Sequence, residues 1–198
     1  MYVNHKADKK AAEFLTIEKD LIINQFTERS TLVVLESHYT QPIKLKVHRN
    51  FLSDFDLDFI MVGTFSYGID LSGFTGSDMV ITKDSIVLTV PQPEIINYTI
   101  DHTQSRFVNA TWRFGINEFD LADKAYAKAQ QNLYEYASSP VLVHKAEVSG
   151  EEAIKKLIKE LKIGDKSIRV NYKDNPIHKN KRGYEINWQI PPYFMPSD

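Results

Sequence analysis

"DMVITKDSIVLTVPQPEI", residues 78–95, is the stretch whose reading decides the fold. Two short runs rich in β-branched residues flank Lys83-Asp84, the pattern of two strands joined by a reverse turn. The pair is not the Asn-Gly or Asp-Gly that a two-residue loop prefers, so a four-residue type I loop is expected. Pro91 and Pro93 then bar pairing in a sheet interior and demand an edge, a bulge or a corner. Beyond them "EIINYTID" (94–101) reads as a further strand.

Upstream the same period continues. "FDLDFIMVGTF" (55–65) alternates and then turns uniformly apolar, as expected toward a sheet centre. "IKLKVHR" (43–49) sets Ile43, Leu45 and Val47 against Lys44, Lys46 and His48, a half-buried strand with one wet face. "STLVVLESHY" (30–39) is another strand, with Pro42 read as a break between the two. Residues 6–14 suggest a short polar helix. The sum is an antiparallel meander.

Downstream the period changes. In "NEFDLADKAYAKAQQNLYEYA" the residues Phe119, Ala122, Tyr126, Ala129, Leu133 and Tyr136 recur at steps of three and four, one stripe along a helix. Asn117 with Asp120 resembles a capping arrangement, and Asp123 lies near the positive end of the helix dipole. A second helix can begin at Pro140 with Ser139 as its cap, carrying Val143, Ala146, Ile154, Leu157 and Leu161 and broken only at Gly150. The competing reading is a strand at 141–148 followed by a helix capped by Ser149 with Glu152. Gly164 ends the helix on either reading. A short link favours antiparallel neighbours, so the second helix is the expected cover for the first helix's stripe, with a monomer expected over a symmetric dimer. "SIRVNYK" (167–173) and "YEINWQI" (184–190) alternate as strands around the basic loop "DNPIHKNKR", and "PPYFMPSD" closes the chain as a tail. The fold class is therefore α+β: a meander, a helical hairpin, then a closing strand or hairpin. One domain over residues 1–173 is followed by a basic loop, strand and proline-rich tail over 174–198.

Composition excludes several function classes. The chain has 198 residues, 42% hydrophobic and 25% charged, with a formal charge of −2. That balance argues against general affinity for nucleic acid. With no cysteine, disulfides, thiol catalysis and thiolate metal sites are ruled out. No run reaches the ~18–20 apolar residues that span a bilayer. The start, "MYVNHKADKKAAEF", has no signal-peptide core. As it stands the chain reads as soluble.

The stretch "GTFSYGIDLSGFTGSDMVITKDSIVLTVPQPEIINYTID" resembles the domain of unknown function 4230 family. The resemblance rests on Gly68, Ile69, Asp70, Leu71, Asp78, Pro91, Glu94, Ile95 and Asp101 and covers roughly residues 15–173. Valine stands before Pro91 where the family usually has leucine, and residues 174–198 extend past its usual end. Members typically carry one hydrophobic segment before the domain. The resemblance therefore implies a bacterial domain tethered outside the membrane by a segment absent from this chain, with a membrane or cell-envelope partner. It implies no activity and no cofactor.

The candidate sites all have ordinary explanations. Asp70 beside Ser72 can be a general base or ligand, or can accept a backbone amide and close the turn at Gly73; the turn is preferred. "SDFDLDF" places Asp54, Asp56 and Asp58 at alternate positions, but a calcium loop needs glycine sixth and glutamate twelfth, where Phe59 and Phe65 stand. On a strand the three carboxylates form a wet face. The six histidines (5, 38, 48, 102, 144, 178) show no paired ligand spacing, and Asp101-His102 would point to opposite faces of a strand. The glycines at 63, 68, 73 and 76 match no nucleotide-binding loop. Lys173, Lys179, Lys181 and Arg182 form a local basic excess that can bind an anionic polymer or lipid, or simply be a solvated loop. A structural reading is preferred for Gly68, Asp70, Pro91, Glu94 and Asp101. The function expected is a non-catalytic, tethered module for interaction or structure. The alternative is a hydrolase or small-ligand enzyme using Asp70, Glu94 or Asp101, which must gather them with a histidine in one cleft.

Overall fold

A computed structural model describes residues 3–49, 52–108 and 118–173, with side chains over 13–45, 58–108 and 122–173. Helix α1 (Val3–Arg29) leads into two 19-residue strands, β1 (Thr31–Arg49) and β2 (Leu52–Asp70). A 3-10 turn (Gly76–Asp78), β3 (Met79–Ile81), β4 (Ser85–Val90), β5 (Glu94–Ile100) and β6 (Arg106–Val108) follow. Then come α2 (Glu118–Ala137), α3 (Pro140–Glu160) and β7 (Ser167–Tyr172). The α+β class and the order meander, two helices, closing strand are as the sequence implied.

The strands divide into two sheets. In the larger, β1 pairs with β2 along almost its whole length, and the other edge of β2 takes β5 and then β6. In the smaller, β4 lies between β3 and β7, antiparallel to β3 and parallel to β7. Pro91 and Pro93 stand where the chain leaves β4 in one sheet for β5 in the other, so the corner is the alternative that is realised. The β3–β4 turn closes through the Thr82 amide, which donates to the Ser85 carbonyl at 2.8 Å, while the Thr82 hydroxyl oxygen accepts the Ser85 amide at 3.0 Å.

Two local expectations are corrected and one open alternative is settled. Pro42 does not break a strand: it lies inside β1, opposite Ile60. Among the described residues β1 pairs with β2 alone, an edge position at which a proline N facing outward costs no ladder bond. The helix read at 6–14 is one end of α1, which runs on to Arg29. Ile22 and Phe26, four apart, set its buried face on the small sheet's core. Residues 141–148 are helical, within an unbroken α3. Pro140 takes the first helical position after Ser139, although the serine side chain makes no capping bond. The caps proposed at Asn117 and Asp120, like the strand at 184–190, lie outside the described residues or side chains.

Two apolar clusters hold these layers together. One joins Ile43, Phe59, Met61, Phe65, Tyr67 and Ile100 to Ala125, Ala129, Leu133 and Ala137 of α2 and to Leu142 and Ala146 of α3. The other joins Ile22 and Phe26 of α1, Ile69 and Leu71, Ile86, Leu88 and Val90 of β4, and Ile154, Leu157 and Ile158 of α3. Of the α2 stripe Ala129 and Leu133 are buried, with Ala125 and Ala137 beside them, and the large sheet rather than α3 is their main cover, while Tyr136 stays partly exposed. The alanines let the helix approach so closely that a Cβ on Gly63 would stand 2.8 Å from Leu133 Cδ2. Tyr39 and Tyr136 stack at that boundary, their rings 3.9 Å apart.

Candidate functional site

β2 runs from one cluster into the other, and the family stretch begins where it crosses. Phe65 and Tyr67 belong to the large-sheet cluster, Ile69 and Leu71 to the other. The Tyr67 hydroxyl donates to the Ala137 carbonyl at the end of α2, and burial raises its pKa to about 12. Between them Gly68 pairs with Val33 on one side and Glu94 on the other. A Cβ there would meet Ile96 at 2.9 Å and Thr31 at 3.0 Å, which accounts for the glycine.

Asp70 ends β2, opposite Thr31. Its carboxylate accepts the Ser72 amide at 2.9 Å, and the Phe74 amide donates to Leu71 at 3.0 Å to close the turn over Gly73. The Ser72 hydroxyl and amide hold the carboxyl below its ordinary pKa. Leu71 donates its own amide to the Ser30 carbonyl at 2.6 Å, which locks the turn to the α1–β1 junction.

Asp78 and Asp101 are used in the same manner. The Asp78 carboxylate accepts the Thr75 amide at 2.9 Å and pairs with the Lys173 ammonium at 2.8 Å. The lysine, with desolvation acting against it, keeps that carboxyl below its ordinary value. Asp101 opens the turn between β5 and β6. It accepts the Thr103 hydroxyl at 2.6 Å, the Thr103 amide at 2.8 Å and the Gln104 side-chain amide at 2.6 Å. These donors lower its pKa to about 2.

Asp101-His102 is not a polarised dyad. Both residues lie in or beside the turn, and the His102 ring packs on Tyr126 with centroids 4.5 Å apart. Ser105, not singled out from the sequence, is buried at this turn and accepts the Val62 amide at 2.9 Å, standing in for a backbone partner. A buried serine flanked by Gln104 and Arg106 has no periodic signature that would have revealed it.

The candidate carboxylates are dispersed. The Asp101 amide bonds the Val62 carbonyl, which places it eight positions along β2 from Asp70, about 26 Å at strand rise. Glu94, exposed, faces Gly68 and so shares the Asp70 end of the sheet. Pro91 forms the crossing between sheets. Asp54, Asp56 and Asp58 all lie on β2, where Asp56 and Asp58 are register partners of Lys46 and Lys44 in β1. Among the described residues no three His, Asp or Glu side chains converge to hold a metal. Of the basic candidates Lys173 is the Asp78 partner, while Lys179, Lys181 and Arg182 lie outside the described residues.

Asp70, Asp78 and Asp101, with Gly68 at the strand end, all lie inside a region that matches a family model. The chain matches the family described as "Protein of unknown function (DUF4230)" over residues 24–170. It belongs to that family. The matched region opens in the last turns of α1 and closes in β7, so apart from Ile22 the buried residues of both apolar clusters lie within the DUF4230 domain. No curated protein and no solved structure matches the chain.

Proposed function

We propose that this DUF4230 domain is a non-catalytic module, held outside a bacterial membrane and serving in interaction or structure. The observation that carries the first half is the employment of Asp70, Asp78 and Asp101. Each carboxylate accepts amides or hydroxyls of its own turn, Asp78 pairing with Lys173 as well, and Asp70 and Asp101 are too far apart to act on one bond. A general acid or base needs a reacting proton within about 3 Å and a pKa near the working pH. These carboxyls are instead shifted downward by bonds that stabilise the charged form.

The tethered half rests on α1. Ile22 and Phe26 dock its C-terminal turns, while Phe14, Ile17 and Leu21 remain exposed farther up the helix. A helix fixed at one end suits a spacer between a domain and an anchor. Among the described residues no helix is long and apolar enough to cross a membrane. The test is the location of the native gene product. Recovery in the membrane fraction, with the domain open to protease added outside intact spheroplasts, is the expected result. A native reading frame starting at Met1 whose product stays in the cytoplasm overturns the tether.

A further inference from the structure

Gly63 decides which rings meet between β1 and α2. Its register partner across the β1–β2 ladder is Tyr39, and the missing Cβ lets Leu133 of α2 come down beside it. Tyr136, three residues after Leu133, lies on the same face of the helix. It therefore lands on Tyr39. The two rings are nearly parallel, 13° apart, with centroids at 3.9 Å. Packed aromatic pairs more often keep roughly 4.5–7 Å between centroids. Phe65 meets Tyr136 in that ordinary way, edge-on at 5.9 Å and 75°, and holds its ring against Tyr39.

Tyr136 keeps 39% of its surface exposed, and Tyr39 is half-buried. The two hydroxyls are near enough to affect each other: burial first, then the Tyr136 hydroxyl, raises the Tyr39 pKa. Other tyrosines around the end of α2 are placed differently. The rings of Tyr98 and Tyr134 are 5.3 Å apart and tilted by 56°. Tyr67 is fully buried, with its hydroxyl committed to the Ala137 carbonyl.

We propose that Tyr39 and Tyr136 form an oxidative cross-linking site, joined ring to ring by a carbon–carbon bond when a haem peroxidase acts with hydrogen peroxide. Each phenol gives up one electron and its hydroxyl proton and becomes a tyrosyl radical. The peroxide takes the two electrons and two protons and leaves as two molecules of water. The radicals pair at ring carbons next to the hydroxyls. Each of those carbons then releases its hydrogen as a proton, and one proton returns to each oxygen, which restores two aromatic phenols. The product is lighter by two hydrogen atoms. Radicals free in solution must first collide, whereas here the partner ring is already in contact. The link ties β1 to the last turn of α2 in a chain that has no cysteine for a disulfide.

The full chain, dilute and treated with a haem peroxidase and hydrogen peroxide, tests this. A digest is expected to contain a cross-linked species carrying Tyr39 and Tyr136, two hydrogens lighter than the separate peptides, from protein that still sediments as a monomer. The linked wild type is expected to have a higher denaturation midpoint than untreated protein, because the link restrains the unfolded chain as a disulfide does. Tyr39→Phe and Tyr136→Phe keep both rings but lack one phenol. Each is expected to unfold cooperatively and to lose both the linked species and the gain in midpoint. Treated wild type in which residues 39 and 136 stay in separate peptides overturns the proposal. So does a gain in midpoint that survives in Tyr136→Phe. A link that forms only between chains and fades on dilution overturns it as well.

Discussion

Tyr172 donates its hydroxyl to the Glu147 carbonyl at 2.6 Å across the space that Gly150 leaves on α3. A Cβ at Gly150 would stand 2.7 Å from that hydroxyl and 2.8 Å from Ile69 Cδ1. The helix crosses both sheets at this point, and the glycine sets how closely it can lie.

Gly150→Ala should therefore destabilise the domain even though alanine favours a helix by roughly 1 kcal/mol. Overpacking of this kind costs about 1–3 kcal/mol. Tyr172→Phe alone should cost about 0.5–1.5 kcal/mol for the lost hydrogen bond. Because the hydroxyl is one of the two obstructing atoms, the alanine should cost less in the phenylalanine background. Denaturant titrations of the four proteins measure that coupling, and strict additivity would refute the contact.

Leu133 is fully buried on the sheet beside Gly63. Wild-type protein should sediment as a monomer, since this face is already covered within the chain. Leu133→Glu should then abolish cooperative unfolding, because it forces a charge into an apolar cluster. A wild-type dimer that Leu133→Glu converts to a folded monomer would show the stripe to be an intermolecular seam.

Ser30 joins α1 to β1 alone and does so at φ 48°, in the left-handed region. A side chain there costs roughly 1–2 kcal/mol, while glycine loses more freedom on folding by roughly 0.5–1 kcal/mol. Ser30→Gly should raise stability by a net ~0.5–1 kcal/mol, read as a higher denaturation midpoint with unchanged slope.

Asp101 links stability to acid. Its folded pKa of about 2 lies below the ordinary 3.8. The carboxylate's contribution is therefore complete above the ordinary value and disappears as pH falls through about 2. The difference in melting temperature between wild type and Asp101→Ala should be steady above about pH 5 and narrow toward pH 2.

What could be read from the sequence follows from the range of each interaction. The β3–β4 hairpin was legible because Thr82–Ser85 is a local turn between two β-branched runs. Asp70 as a turn residue was legible for the same reason, its partner Ser72 being two positions away. The α2 stripe was visible from period alone, but its cover was not, since a stripe states that a face is buried and not by what. Pro42 misled because a proline's effect depends on whether its strand is an edge. The parallel partnership of β4 with β7 left no local trace, and Gly150 showed only as a gap in a pattern until Tyr172 and Ile69 were found against it.

That long-range partnership bears on how the chain is made. Ser85 and Ser167 are register partners, yet β5, β6, α2 and α3 intervene between them. On a ribosome, β3 and β4 emerge long before α3 and β7, and the core-facing side chains Ile86, Leu88 and Val90 have no complete shelter in the interval. Pairing at such separation is slow to form, because the intervening chain must first be ordered. The nascent protein thus carries an adhesive half-sheet through much of its synthesis, a natural point for a chaperone to act and for aggregation to begin.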